Sequence, residues 1–328
     1  MRAMITAVSH YVPEQVLTNV DLEKMVNTTD EWITSRTGIK ERRILGQNMG
    51  TSYMATHAAR NVLEQRGLSA RELDLIVVAT VTPDMSVPAA AALIQNKLGA
   101  DNCGGFDING GCSGFLCALT TGAQFIESGR FQKVMVIGAD TMSAVINFED
   151  RDTCVLFGDA AGAVLLEPAI HSDQGIEDFE LHLDGSGAPY LNIPAGGSLQ
   201  PASHATVDKK LHYVHQDGKK VFKGAVKGMK TVTGNLLKKN GLTVKDIKLF
   251  IPHQANKRII DAVANSLNLN GEQVCINIVD YGNTTSATIP LAMSEAYQNN
   301  MMQKGDRIIL AAFGAGFTWG GVLLKWAL

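Results

Sequence analysis

The chain matches itself. Leu63 to Val77, LEQRGLSARELDLIV, reads in the same pattern as Leu237 to Ile251, LKKNGLTVKDIKLFI, and 174 residues separate Leu63 from Leu237. Each segment is a helix end, a glycine cap, a Ser or Thr N-cap with an acidic residue three places on, and an apolar strand. A second pair follows in the same order. Leu156 to Leu166, LFGDAAGAVLL, stands against Ala312 to Leu324, AFGAGFTWGGVLL, and both read as strand, glycine-rich turn, strand. Such repetition restricts the fold to two copies of one α/β half, residues 1–170 and 171–328.

The strand candidates support an α/β reading. Leu75–Ala79, Val134–Ile137 and Val155–Phe157 are short, continuous apolar runs, the pattern of strands buried on both faces. Helical stretches lie between them, at Ser52–Gln65, Ser113–Ser128 and Asn256–Leu267. Ile308 to Leu324 carries no charge and holds four glycines. That length borders on a membrane span, but its glycines predict two strands about a turn. Between the halves Asp184–Gln216, rich in Gly, Pro, Ser and His, predicts a long irregular excursion of the kind that covers a site. A net charge of -3 gives no overall pull towards nucleic acid or membranes.

Five cysteines, Cys103, Cys112, Cys117, Cys154 and Cys275, lack CxxC spacing. Neither a zinc site nor a disulfide framework is expected, and the N-terminus carries no signal-peptide pattern, which together predict a reducing, cytoplasmic setting. Cys112 stands apart. Gly110-Gly111-Cys112-Ser113-Gly114 has the glycine spacing of a nucleophile elbow, with Phe106-Asp107-Ile108 as the strand and a helix after it. A helix N-terminus favours thiolate, so a lowered pKa is expected there. Cys117 falls about 140° further around a helix and is assigned to packing, as are the other three.

A nucleophilic cysteine needs a base or donor nearby. Of eight histidines only His253 follows a buried strand directly, at a strand-to-helix junction. Aligning the helices after each turn at an offset of 173 puts Cys112 on Thr285, inside Gly282-Asn283-Thr284-Thr285-Ser286. Asn283 then occupies the second copy of the nucleophile turn, and equivalent turns in symmetric halves can face one cleft.

Cys112 in NGGCSGF, His253 in PHQAN and Asn283 in GNTTS together resemble the β-ketoacyl-acyl carrier protein synthase III family. Asp30 to Ile39, DEWITSRTGI, and Gly316 to Gly320, GFTWG, extend the resemblance over the whole chain. It implies a thiolase-type fold in five αβαβα layers, a homodimer, and no metal or organic cofactor. It also implies a decarboxylative condensation of an acyl-CoA primer with malonyl-acyl carrier protein. Cys112 would carry the acyl group, and His253 and Asn283 would stabilise the enolate. By the same resemblance Trp32 and Arg151 would sandwich the CoA adenine, with Thr28, Arg36 and Asn256 beside the rest of CoA. Phe313 would sit near the departing carboxylate, and the Ala315 amide would complete an oxyanion hole.

Departures from the family pattern carry their own expectations. Gly110 and Gly111 stand where alanines are common, which would loosen the turn. Lys219 replaces an asparagine near CoA. Val87, at the position a partner subunit inserts into the acyl pocket, is small and predicts longer or branched primers. Lys219, Lys220, Lys223, Lys227 and Lys230 share one helical face, and Lys257 and Arg258 closely follow His253. A solvated face is the bland reading of that pattern, and docking of an acidic carrier protein is the specific one. The alternatives are a same-fold condensing enzyme or acyltransferase of secondary metabolism, a cysteine hydrolase, or an inactive partner. The duplication argues against the hydrolase, and the intact Cys-His-Asn set argues against the inactive partner.

Overall fold

The computed structural model describes residues 2–171 and 174–328. Counting strands of four residues or more, the chain forms β1 Ala3–Tyr11, β2 Leu75–Ala79, β3 Gly104–Ile108, β4 Val134–Asp140, β5 Ala160–Pro168, β6 Gly175–Leu183, β7 Leu249–Pro252, β8 Arg307–Gly314 and β9 Thr318–Lys325. Helices of eight residues or more are α1 Asp30–Thr37, α2 Thr51–Arg66, α3 Ala90–Leu98, α4 Gly114–Glu127, α5 Gly218–Lys239, α6 Lys257–Leu267 and α7 Thr288–Gln298.

Two sheets carry the duplication. The first has the order β1-β5-β4-β2-β3 and the second, read from the same end, β6-β9-β8-β7. In each the first three strands are antiparallel neighbours and the next pairing is parallel. A single bridge, Phe250 to Val274, marks the place where the second sheet would have its fifth strand. Local signals repeat as well. Gly67 and Gly241 both end their helices at a φ of +67°, and Ser69 with Glu72 and Thr243 with Asp246 each close a capping box.

The layers follow from strand alternation. Leu75, Val77 and Ala79 of β2 and Leu249 and Ile251 of β7 face a shared core with α4 and α7, including Leu116, Leu119, Ile289 and Met293. The intervening Ile76 and Val78 face α2 and α3, and Phe250 faces α5 and α6. The result is five layers, helices outside, two sheets, and α4 with α7 in the middle. Both central helices are therefore apolar nearly all round, as a doubly covered helix must be. The uncharged stretch near the C-terminus forms the hairpin of β8 and β9, with Phe313 opposite Trp319. Among the described residues no helix is long and apolar enough to cross a membrane.

One strand expectation fails. Val155–Phe157 is not a strand: it follows a short helix, Arg151–Cys154, and only Phe157 makes a bridge, to Asn283. Its apolar residues are buried by Leu22, Ile33, Met142 and Ile146 instead of by a sheet. A short apolar run reports burial and not the element that provides it. The second repeat pair is therefore only half a match, because a long loop replaces the tight turn of the β8–β9 hairpin.

Candidate active site

The parallel registers level the strand ends. Ala79 pairs with both Ile108 and Gly138, so Asn109 and the turn after it emerge at the carboxyl edge of the first sheet. Pro252 pairs with Ala311 at the end of β7, and His253 is the next residue. The two edges open into one cavity of about 960 Å³, lined among others by Cys112, His253, Asn283, Thr285, Phe313 and Ala315. Residues from both halves thus meet at one site.

Cys112 lies in a single 3-10 turn, Gly111–Ser113, ahead of α4. Gly111 takes a φ of +56°, a conformation that glycine adopts without strain. A methyl there would stand 3.1 Å from the Ala315 amide nitrogen. The glycine meets both the positive φ and the close approach of Ala315. On the other side a methyl on Gly314 would come within 2.6 Å of the Cys112 nitrogen. The two halves touch directly behind the nucleophile.

The matching turn in the second half is the 3-10 segment Thr285–Ala287 ahead of α7, and Thr285 has a φ of +55°. Equivalence of the turns sets the offset at 174, the same as in the first repeat, so Cys112 corresponds to Ser286 and not to Thr285. Asn283 then corresponds to Asn109. The slip arose because the central helices were aligned by their apolar pattern, which fixes a face more firmly than a register.

Burial governs the charges here. Desolvation pushes the Cys112 thiol up to about 12, the nearby Asp140 adds to this, and a backbone hydrogen bond opposes both. The shift runs opposite to the lowering expected at a helix terminus, and loss of water is its largest cause. Desolvation pushes His253 down to about 3, so its ring is neutral at physiological pH. His253 Nδ1 lies 2.7 Å from Thr288 Oγ1. Asn283 Oδ1 accepts from the Thr285 amide at 2.9 Å, which leaves its NH2 group to donate elsewhere. Its backbone is fixed by Leu156 and Gly158.

Asp140, at the end of β4, was not singled out from the sequence. Its Oδ1 accepts from Val81 and Thr82 amides and from the Thr80 and Thr82 hydroxyls. Its Oδ2 accepts from the Ser286 amide and hydroxyl. It clamps the Asn283 turn to the first sheet, and no motif marks it.

The remaining site residues divide. Arg151 lies 4.0 Å over the Trp32 ring; the two stack on each other, and a base would have to part them. Asn256 caps α6 through Arg258 and donates to the Arg36 carbonyl at 3.2 Å. Thr28 Oγ1 and Arg151 Nε are buried without partners. Phe313 packs on Phe317, centroids 4.9 Å apart. Val87 is 83% exposed and does not line the cavity of the single chain, although Met85 and Ser86 do. Lys219, Lys220, Lys223, Lys227 and Lys230 are all exposed along α5, and Arg258 lines the cavity mouth. Lys257 departs from the expectation of a free docking charge, because its ammonium pairs with Asp261 at 2.7 Å. The excursion supplies part of the wall, including Leu191, Ile193, Val214 and Gln216. It also supplies His212, whose Nε2 lies 2.9 Å from Thr206 Oγ1. A short ladder of Leu191–Asn192 with His215–Gln216 closes its neck.

Comparison with known proteins bears on this arrangement. The family model for 3-oxoacyl-[acyl-carrier-protein] synthase III matches residues 106–185, and the model of its C-terminal part matches 237–326. A β-ketoacyl-[acyl-carrier-protein] synthase III of Koribacter versatilis is 55% identical over 99% of this chain and 98% of its own. The chain belongs to the β-ketoacyl-[acyl-carrier-protein] synthase III family. A synthase III of Chlorobaculum tepidum is 51% identical over 99% of this chain and all of its own. The solved 3-oxoacyl-[acyl-carrier-protein] synthase III of Aquifex aeolicus superposes with a TM-score of 0.91 at 43% identity, covering 99% of this chain and 100% of that one. A priming β-ketosynthase of a polyketide pathway gives 0.91 at 34%, covering 99% and 96%. As a member of the synthase III family the chain is an acyl-transferring condensing enzyme with a thiolase-type fold.

Proposed function

We propose that Cys112, His253 and Asn283 carry a two-step condensation of an acyl-CoA primer with malonyl-acyl carrier protein. The Cys112 sulfur attacks the primer carbonyl, the bond to the CoA sulfur breaks, and the thiol proton leaves with CoA through the neutral His253 ring. Malonyl thioester then loses CO2. The electron pair of the broken C–C bond moves into the thioester as an enolate, whose oxygen takes hydrogen bonds from His253 and the free NH2 of Asn283. The enolate carbon attacks the acyl-cysteine carbonyl, the bond to the Cys112 sulfur breaks, and the departing sulfur takes up one proton from solvent to restore the thiol. Preorganised donors in a dry site stabilise developing charge far more than they would in water. Decarboxylation supplies the drive, and no metal or organic cofactor enters the scheme.

The observation that carries this reading is the meeting of the three side chains from two halves at one cavity. Intact-protein mass spectrometry after incubation with acetyl-, isobutyryl- and octanoyl-CoA tests it. One acyl mass is expected on the parent and none on Cys112→Ala. An adduct that survives the substitution would move the nucleophile elsewhere.

Further parts of the reading rest on placement. Trp32, Arg151, Thr28 and Arg36 hold the CoA nucleotide, and Asn256 positions that wall from α6. Lys219, Lys223, Lys227 and Arg258 receive the carrier protein. The enzyme works in the cytoplasm, and as a homodimer, the latter supported by the open edge of β3 and by the exposed Val87 beside the pocket. The partner's Val87 side chain would close the acyl end of the cavity.

A further inference from the structure

The segment between β2 and α3 is anchored at both ends and exposed in the middle. At its start the Thr82 hydroxyl donates to the buried Asp140 at 2.8 Å, and the Thr82 carbonyl accepts from the Thr51 hydroxyl at 2.5 Å. At its far end the first two amides of α3, those of Ala90 and Ala91, donate to the Asp107 carboxylate at 2.6 and 2.9 Å. Between these anchors Pro83 and the run from Met85 to Pro88 are exposed. Met85 and Ser86 nevertheless line the cavity that holds Cys112. Where this stretch sits therefore sets the room left inside the cavity.

Asp84 is the half-buried residue of the stretch. Its Oδ2 accepts from the Ser52 amide at 2.9 Å and its Oδ1 from the Ser52 hydroxyl at 2.8 Å. Lys97 of α3 brings its ammonium to the same hydroxyl oxygen at 2.5 Å. Helix α2 starts after Gly50, which offers no side-chain cap. A carboxylate 32 residues further along the chain thus does what an N-cap side chain does elsewhere, at the helix end where negative charge is favoured. Gly50 keeps the seat open, because a methyl on it would run into the Asp84 carboxylate. A local Ser or Asn cap would satisfy α2 alone. The cap found here also fixes the residue directly before Met85.

We propose that Asp84 is a positioning residue for primer selection: seated on the start of α2, it fixes how far Met85 and Ser86 stand into the cavity, and so the length of acyl chain that Cys112 receives. The proposal rests on the reading of Cys112 as the acyl acceptor and deepens it. Asp84 does not line the cavity itself and acts through its two neighbours. Met142, Val145, Leu191 and Val214 give the same cavity an apolar lining suited to an acyl chain, so a wall that recedes there admits more methylene groups. Each methylene so admitted changes selection severalfold or more.

The test uses the full-length enzyme and a competition between acetyl- and octanoyl-CoA, read as the two adduct masses on Cys112. Asp84→Ala removes both arms of the clamp and should raise the octanoyl-to-acetyl ratio about tenfold, with octanoyl loading faster than in the parent. Ser52→Ala removes the hydroxyl arm and keeps the amide arm, and should give a smaller shift in the same direction. Gly67→Ala weakens the other end of the same helix, where glycine holds a φ of +67° with nothing nearby. It should lower the urea midpoint and leave the ratio where it was. A merely destabilised enzyme loses both loading rates together, so a gain with octanoyl-CoA separates positioning from stability. An unchanged ratio in both Asp84→Ala and Ser52→Ala would overturn the proposal, as would an equal shift in Gly67→Ala. Should Asp84→Ala fail to fold, Ser52→Ala decides alone. A parent that takes no acyl group on Cys112 would refute the underlying reading, and the proposal with it.

Discussion

Cys112 and His253 are both held neutral by burial, the thiol pushed up to about 12 and the imidazole down to about 3. Proton transfer from a neutral thiol to a neutral ring would create a charged pair, so in the proposed step the proton passes on to the departing CoA sulfur as the Cys112 sulfur attacks. The same burial links stability to pH. Below the ordinary histidine value of about 6.5 the unfolded chain binds a proton that the folded chain refuses. Folding stability from His253 is therefore complete above that value and is lost as pH falls towards about 3, at up to about 1.4 kcal/mol per pH unit. His10, also lowered by burial, adds to the trend. Urea midpoints of the parent and His253→Gln between about pH 7 and pH 5 separate them, and the parent should lose more stability than the variant. Parallel curves would mean that the ring is not held neutral. The residue types at the centre were legible in the sequence. The direction of the Cys112 shift was not, because burial depends on Asp140, Gly314 and Ala315, which lie far away along the chain.

At the scale of elements the turn before α4 and the exposed face of α5 do most to shape the site. Gly111→Ala puts an alanine at +56° and a methyl 3.1 Å from Ala315 nitrogen. It should cost about 1–2 kcal/mol, seen as a lower urea midpoint, and it should slow acylation of Cys112. An unaltered midpoint would show that the turn can relax. On α5, apolar residues such as Val221, Ala225, Met229 and Val232 are buried and the lysines face out. Charge reversal of Lys223 and Lys227 together should raise KM for malonyl-acyl carrier protein about tenfold at low salt, with kcat for acyl-CoA loading unchanged. The difference should shrink at about 1 M salt. An unaltered KM would remove α5 from carrier docking. Helices, caps and the terminal hairpin were readable because their signals are local. Val155–Phe157 was misread because its burial comes from the helices around Leu22 and Ile33, a contact with no local mark.

At the scale of the whole molecule, two sheets of the same order press α4 and α7 between them and bring equivalent turns face to face. One turn keeps a cysteine; its counterpart holds Ser286, tied to Asp140 by both amide and hydroxyl. Where the first copy presents a thiol, the second holds its hydroxyl in a buried hydrogen bond. The pocket is completed by the excursion and, in the proposed dimer, by the partner's loop. Val87→Phe should lower the octanoyl-to-acetyl ratio of acyl-enzyme formed in a mixed-primer competition, and the effect should need the dimer. A ratio that does not move would place the primer limit in the chain's own walls.

The sequence by itself determined the duplication, the layered α/β class, the glycine-framed Cys112 and the strand-end His253, since periodicity and turn chemistry are written within about fifteen residues of each. Only the tertiary structure decided the register of the two halves, 174 and not 173, because register depends on the 3-10 turns at Gly111 and Thr285 and not on which helix faces are apolar. It alone decided that Trp32 and Arg151 stack together, that Lys257 is paired, and that Asp84 caps α2 from a neighbouring loop. Those facts depend on groups brought together across the chain, where distance and desolvation act and sequence spacing does not.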